Sequence, residues 1–397
     1  MTSLRTRAML GLVEAALRTT TAARATVRRR RTATAILAPA APGSVGDHAM
    51  ISVLCTEVQG PKLLISLATA VDPLELMPET EVVPAGRFFS GSVWSASVAA
   101  LRIGRALGRA RGLLIIGADV MDGAYSAWRS EVRFLLAGVA QRCGVSASIV
   151  NTSWNAAPDS RAVEALRKAA TVPIVARDPV SAQRLRAIGA TDVRDSADLA
   201  FCYDLESAPD GPLRDWLEQQ ATTGRAVVVV NLNPSVADAE RLVALVSPSC
   251  RWLVEQGYSL LFVSHDRRNV STGDLAVLQQ LSDAVDAGAR AFSWQAPSAD
   301  AVRGLMKFVE FVISCRMHLI ILAAAAAIPA IGFEYQGKMT GLFSEHLQAP
   351  DRVLDPAVVD AGDVLATVRK VATDRDRLSQ LLAEKLPALR AQARRNW

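Results

Sequence analysis

Arg316 and His318 stand two positions apart in ISCRMHLIILAAAAAIPAIGFEYQGK, residues 313–338, among the most apolar stretches of the chain. A guanidinium in such company needs a partner, because burying an unpaired charge is costly. The residues before it, FVEFVIS, read as a strand, and those after it, HLIILAAAAA, read as a helix. The pair is therefore predicted at a strand's carboxyl end and a helix's amino end, not inside a core. Exposed backbone N–H groups and the helix dipole make such a turn an anion site. The arginine adds a two-pronged donor for carboxylate or phosphate. The histidine can take or give a proton near neutral pH. The competing reading is an arginine capping a neighbouring helix and a histidine satisfied by a carbonyl.

Other polar groups fall at predicted strand ends. PGSVGD carries Gly43, Gly46 and Asp47. That turn could cradle a phosphate or a sugar, or Asp47 could simply cap the helix that follows. Arg177 and Asp178 follow VPIVA, where an internal salt bridge is as ready a reading as substrate contact. His265 and Asp266 follow LLFVS, and Asp119 and Asp122 flank the loop after GLLIIG. Tyr335 reads as packing or as a ring platform, and Lys338 as a second cation. Trp128 and Trp154 could stack a sugar, with core packing the better reading; His346 reads as structural. The five cysteines, Cys55, Cys143, Cys202, Cys250 and Cys315, form no CxxC pair. They read as buried thiols, and no cluster has metal-ligand spacing, so no metal or other cofactor is expected.

The elements that must hold these residues alternate strand, loop and helix, which argues for parallel sheets covered on both faces. A polar stretch from Tyr203 to Thr223 reads as a linker, after which the pattern restarts at RAVVVVNLN. The expected fold class is α/β, with two Rossmann-like domains facing across a cleft, where ligands bind at the carboxyl ends of strands. The expected boundaries are a basic arm over 1–32, domains over 33–205 and 222–350, and a helical segment over 351–397. The formal net charge is +5. Much of the excess precedes Thr32: Arg5, Arg7, Arg18, Arg24 and Arg28 to Arg31 face one acid, Glu14. The remainder is near neutral, which argues against a nucleic-acid partner. The arm reads as a solvated or loosely docked extension or as a basic helix on anionic lipid, and no stretch qualifies as a membrane span. A cytoplasmic protein is expected, peripheral on the inner face of the membrane if the arm binds lipid.

ISCRMHLIILAAAAAIPAIGFEYQGKMTGLFSEH resembles the signature of the polysaccharide pyruvyl transferase family: Ser or Thr, one residue, Arg, one residue, His, an apolar helix, a Pro-containing strand, then Tyr and Lys. PGSVGDHAM is similar to the family's amino-terminal Gly-Asn-x-Gly-Asp turn, with Ser44 in place of Asn. VARDPVSAQRLRAIGATDVRDSADLAF is similar to its Arg-Asp-x-x-Ser segment, and FVSHDRRNVSTGDLAVLQQL to its His/Gln-Asp stretch. The family's Gly-Gly-Gly loop is reduced here to Gly117-Ala118-Asp119. The resemblance covers roughly residues 35–350 and implies a GT-B-like fold. It implies that phosphoenolpyruvate, as co-substrate, gives its enolpyruvyl group to a sugar of a glycan or lipid-linked precursor, leaving a pyruvate ketal. His318, Arg316 and Asp47 would then be catalytic. Lys338, Tyr335, His265, Asp266, Arg177, Gly43, Gly46 and Asp119 would bind substrate, and Arg267 is a further cation in reach of the donor. The alternatives are a nucleotide-sugar-dependent GT-B glycosyltransferase and a non-catalytic sugar-binding member. The absence of a Glu-x₇-Glu pattern places the glycosyltransferase second.

Overall fold

The computed structural model describes residues 4–26, 31–40, 42–67, 77, 79–89, 92–267 and 273–397. Arg28 to Arg30 of the basic run, and residues 268–272 of the His265 stretch, lie outside the described residues. The chain divides into two compact units. One holds residues 1–42, 50–199 and 392–397; the other holds 43–49 and 200–391.

The first unit contains α1 (Leu4–Thr26), β1 (Ala33–Leu37), α2 (Val45–Glu57, whose first residues group with the second unit), β2 (Lys62–Ser66), β3 (Thr80–Pro84), α3 (Val93–Arg109) and β4 (Ala110–Ala118). It continues with α4 (Ala127–Arg142), β5 (Ser146–Thr152), α5 (Ser160–Lys168), β6 (Ile174–Ala176), α6 (Pro179–Ala187) and β7 (Val193–Asp195). Its seven-stranded sheet runs β3-β2-β1-β4-β5-β6-β7, and every pairing is parallel. The interior strand β1, ATAIL, is buried along its whole length, as a sheet with both faces covered requires. Helix starts follow local chemistry. Ser92, Ser126, Asp159 and Asp178 each accept a hydrogen bond from a backbone N–H of the first turn, meeting donors that the helix leaves unpaired.

In place of a solvated arm, the amino-terminal segment is α1, whose Met9, Leu10, Val13 and Leu17 join the core of this unit. The reason lies in α3. A Cβ at Gly104 would stand 2.4 Å from the Val13 carbonyl oxygen, and one at Gly108 would stand 2.5 Å from the Thr20 Cβ. Two glycines one turn apart thus let the helix backbones approach closely, and the apolar stripe of α1 is used inside the unit. Membrane contact through this stripe has no support. No helix among the described residues is long and apolar enough to cross a membrane.

The second unit contains α7 (Gly211–Thr222), β8 (Val227–Asn231), α8 (Ala239–Glu255), β9 (Ser259–Ser264), α9 (Asp274–Val285), β10 (Ala291–Gln295) and α10 (Ala299–Leu305). It continues with β11 (Val309–Ser314), α11 (Met317–Ala324), β12 (Ala330–Phe333), α12 (Lys338–Thr340), β13 (Val353–Leu354) and α13 (Ala361–Ala393). Its six-stranded sheet, β10-β9-β8-β11-β12-β13, is again parallel throughout. The stretch that reads as a linker in sequence holds α7, because Leu213, Trp216, Leu217 and Gln220 make one buried face on an otherwise polar segment. The long α13 supplies the helical carboxyl-terminal segment; its Val364, Val368 and Val371 pack into the core of this unit.

Candidate functional site

Strand β11 ends at Ser314, paired in register with Asn231 on one side and Gly332 on the other. Two residues on, Arg316 is the N-cap of α11 and His318 lies in its first turn. The predicted strand-end, helix-start placement is therefore what the fold provides. Ser314 fixes the bend: its Oγ accepts from the Arg316 N–H at 2.8 Å and bonds Asn231 Oδ1 at 3.2 Å. Between them, Cys315 is fully buried, and burial pushes its thiol up to about 12. It stays protonated at neutral pH and is no nucleophile.

The guanidinium of Arg316 is held by Asp274, the first residue of α9. Nη2 donates to Oδ1 at 2.7 Å, and Nε reaches both carboxylate oxygens at 3.2 Å. Asp274 is completely buried. Its Oδ2 also accepts from Asn231 Nδ2 and from the His265 N–H, each at 3.1 Å. A buried carboxylate is tolerable when paired, hydrogen-bonded and set at a helix amino end, and Asp274 meets all three conditions. Burial opposes the charge on Arg316, but Asp274, then Asp266 and Tyr335, more than offset it, and its pKa is raised. The Nε–Nη2 edge is thus committed to the protein. Nη1 lies 3.6 Å from Asp266 Oδ2, and 24% of the side chain is exposed. A ligand carboxylate or phosphate would meet the arginine on that Nη1 side.

The glycine turn belongs to this cluster. Ser44 forms an isolated antiparallel bridge with Asp266. The Val45 N–H donates to the His265 carbonyl at 3.3 Å, and the Arg267 N–H to the Gly43 carbonyl at 2.9 Å. Gly43 has φ 131°, a left-handed-side value that favours glycine. Gly46 is required for space: a Cβ there would stand 2.2 Å from His318 Nδ1. The imidazole therefore lies against bare backbone. One expectation is corrected here. Asp47 is not the cap of α2; Ser44 is, with its Oγ accepting from the Asp47 N–H at 3.5 Å. Asp47 sits within the first turn, where a carboxylate also suits the helix dipole.

Lys338 is buried, with its ammonium 5.6 Å from the centre of the Tyr335 ring. The chain reaches it through two left-handed residues, Gln336 and Gly337, and Glu334 caps the turn by accepting from Thr340 N–H at 2.7 Å. In the first unit, Arg177 lies in an internal ion pair: Nη1 meets Asp198 Oδ2 at 3.1 Å and Nε meets Ser153 Oγ at 2.5 Å, with both charged side chains 3% exposed. Asp178 caps α6 through the Ser181 N–H at 2.7 Å. Asp119 accepts from the Tyr125 hydroxyl at 3.1 Å. Asp122 is buried and accepts from the Ala124 N–H at 2.9 Å. Trp154 is core, at 1% exposure, and the Trp128 indole N–H donates to Thr6 Oγ1 at 2.8 Å. His346 is buried edge-on to Phe201.

The second unit thus gathers Gly43, Gly46, Asp47, His265, Asp266, Arg316 and His318. Two residues of the cluster carry no mark in the sequence analysis, Asp274 and Asn231; the bend-setting Ser314 is the Ser of the Ser-x-Arg-x-His signature. An acid opening a helix just after a strand-end His-Asp was the available signal for Asp274. No group of three or more His, Cys, Asp or Glu able to hold a metal ion occurs among the described residues.

A family model described as polysaccharide pyruvyl transferase matches residues 78–337, well over half of the chain. The matched stretch includes Arg177, His265, Asp266, Asp274, Arg316, His318 and Tyr335, and stops one residue short of Lys338. No curated protein has a recognisably similar sequence. Among solved structures, MnaA of S. aureus in a co-structure with UDP is similar at TM-score 0.59 and 12% identity, over 89% of this chain and 91% of that one. A glycosyltransferase from Rickettsia africae gives TM-score 0.58 and 12% identity, over 92% and 97%. UDP-GlcNAc 2-epimerase from Neisseria meningitidis bound to UDP-GlcNAc gives 0.55 and 9%, over 91% and 97%. At these identities the likeness is one of fold: the two-domain α/β class shared by GT-B glycosyltransferases and these epimerases.

Proposed function

Because this chain belongs to the polysaccharide pyruvyl transferase family, we propose that it moves the enolpyruvyl group of phosphoenolpyruvate onto two hydroxyls of one sugar in a glycan or glycolipid precursor. The observation that carries this reading is the Arg316–His318 turn. A guanidinium locked on one edge by buried Asp274 stands two positions from an imidazole laid on Gly46. Pre-orientation of this kind gives an electrostatic clamp its value, since nothing need reorganise when the ligand arrives.

The chemistry balances on these groups. An acid protonates the methylene carbon of phosphoenolpyruvate, leaving an oxocarbenium-like C2. A sugar hydroxyl adds to C2 and gives up its proton to a base. The C2–O bond to phosphate then breaks, inorganic phosphate leaves, and a neighbouring hydroxyl closes the ketal with loss of its own proton. His318 is assigned the proton transfers, with Asp47, Asp266 and His265 beside it. The Nη1 side of Arg316 takes the donor carboxylate or phosphate. Lys338 on Tyr335 is assigned to the donor as a second cation, and Asp119 to the acceptor. No metal enters this scheme.

Thermal denaturation of the purified protein with phosphoenolpyruvate, and separately with UDP- and GDP-sugars, tests the donor. Phosphoenolpyruvate should raise the melting temperature, since a ligand that binds only the native state stabilises it by mass action. Arg316→Ala should abolish that shift. His318→Ala should keep binding and lower turnover by about 10²–10⁴-fold. Stabilisation by a nucleotide sugar alone would replace this reading with a glycosyltransferase.

A further inference from the structure

A cavity of about 180 Å³ opens in the second unit between residues 347–352 and α13, and it shares no residue with the Arg316–His318 cluster. Four cations line it: Arg352, Lys370, Arg377 and Lys385. Two carboxylates line it as well, and each is already committed. Asp351 pairs with Lys370 at 2.5 Å and Asp374 with Arg377 at 2.8 Å. Lys385 bonds only a backbone carbonyl, that of Leu347, at 2.9 Å. Arg352 is 5% exposed, and neither its Nε nor its Nη1 meets an acceptor. Buried guanidinium groups are normally paired with a carboxylate or saturated with carbonyls. Here two positive charges remain after internal pairing, and burial lowers the pKa of both Arg352 and Lys385.

We propose that this cavity binds a compact phosphate-type oxyanion, either inorganic phosphate or the terminal group of a small phosphate monoester, between Arg352 and Lys385. The volume suits a tetrahedral oxyanion and is below the range of pockets that hold drug-sized ligands. The surplus of two positive charges matches a dianion, and the planar guanidinium offers the fork that a phosphate takes in bidentate fashion. The inference does not rest on the transferase reading, since Arg316 and His318 take no part in it.

Titration calorimetry on the full chain carrying Arg316→Ala isolates this site from the proposed donor site. Inorganic phosphate is one probe and methyl phosphate the monoester probe. Either should bind, and Arg352→Met added to that background should weaken binding by at least about tenfold, the loss of one charge-assisted contact. Lys385→Gln, on a less buried side chain, should weaken it by a similar factor and keeps the test valid if Arg352→Met does not fold. Arg352→Met should also melt no lower than its parent without phosphate, because it removes an uncompensated buried charge. Failure of both probes to bind, or equal affinity with and without Arg352 and Lys385, overturns the proposal.

Discussion

Arg177 and Arg316 both lie at strand ends, β6 being the sixth strand of the first sheet and β11 the fourth of the second. Each follows the carboxyl end of a parallel strand, β6 or β11, and each pairs with a buried aspartate. Their surroundings differ. Arg177 is closed in, with Ser153 on Nε, Asp198 on Nη1 and 3% of the side chain exposed. Arg316 gives one edge to Asp274 and keeps 24% of the side chain exposed. The same strand-end arginine is therefore a structural tie in one unit and a presented cation in the other. What separates them is exposure, 24% of the Arg316 side chain against 3% of the Arg177 side chain.

The largest effects should come from removing either arginine. Arg177→Met strands Asp198, and Arg316→Met strands Asp274, so each should lose about 3–5 kcal/mol in denaturant unfolding. Only Arg316→Met should also lose the stabilisation by phosphoenolpyruvate. If folded Arg177→Met loses that response too, the contrast between the two sites fails. A smaller effect is expected at Gly46. Gly46→Ala places a methyl against His318 Nδ1, and should cost about 1–3 kcal/mol from overpacking. It should lower turnover about 10²-fold by displacing the imidazole, read as kcat at saturating donor. The smallest effect concerns the Gly117-Ala118-Asp119 loop of the first unit. Ala118 holds φ 44°, a left-handed conformation, and Ala118→Gly should stabilise by about 0.5–1 kcal/mol, net of the added freedom of the unfolded chain. A urea midpoint that moves down instead would show that the Ala118 methyl packs usefully.

Much of the scaffold was legible because it follows from local pattern. VVVVN, SLLFVS and VEFVIS are runs of β-branched and apolar residues at the length of buried strands, and they form β8, β9 and β11. The edge strands were harder. TEVVP in β3 and AFSWQ in β10 are partly exposed, so their composition does not stand out from a loop. The basic segment before Thr32 misled for a related reason. Its charges dominate the composition, while the stripe Met9, Val13, Leu17 is decided by the glycines of α3 about ninety positions later.

By itself the sequence determined the two parallel-sheet units, the Arg-x-His turn at a strand end, and the glycine-containing turn ahead of a helix. These depend on periodicity, capping chemistry and backbone conformation, which neighbouring residues settle. Only the tertiary structure decided the partner of Arg316, because Asp274 lies 42 positions upstream and no spacing links them. Nor could sequence show that Gly46 bears on His318, or that Arg352 and Lys385 remain as surplus charge after their neighbours pair. Ion pairing and close approach depend on distances across elements, and those exist only once the sheets and helices have packed.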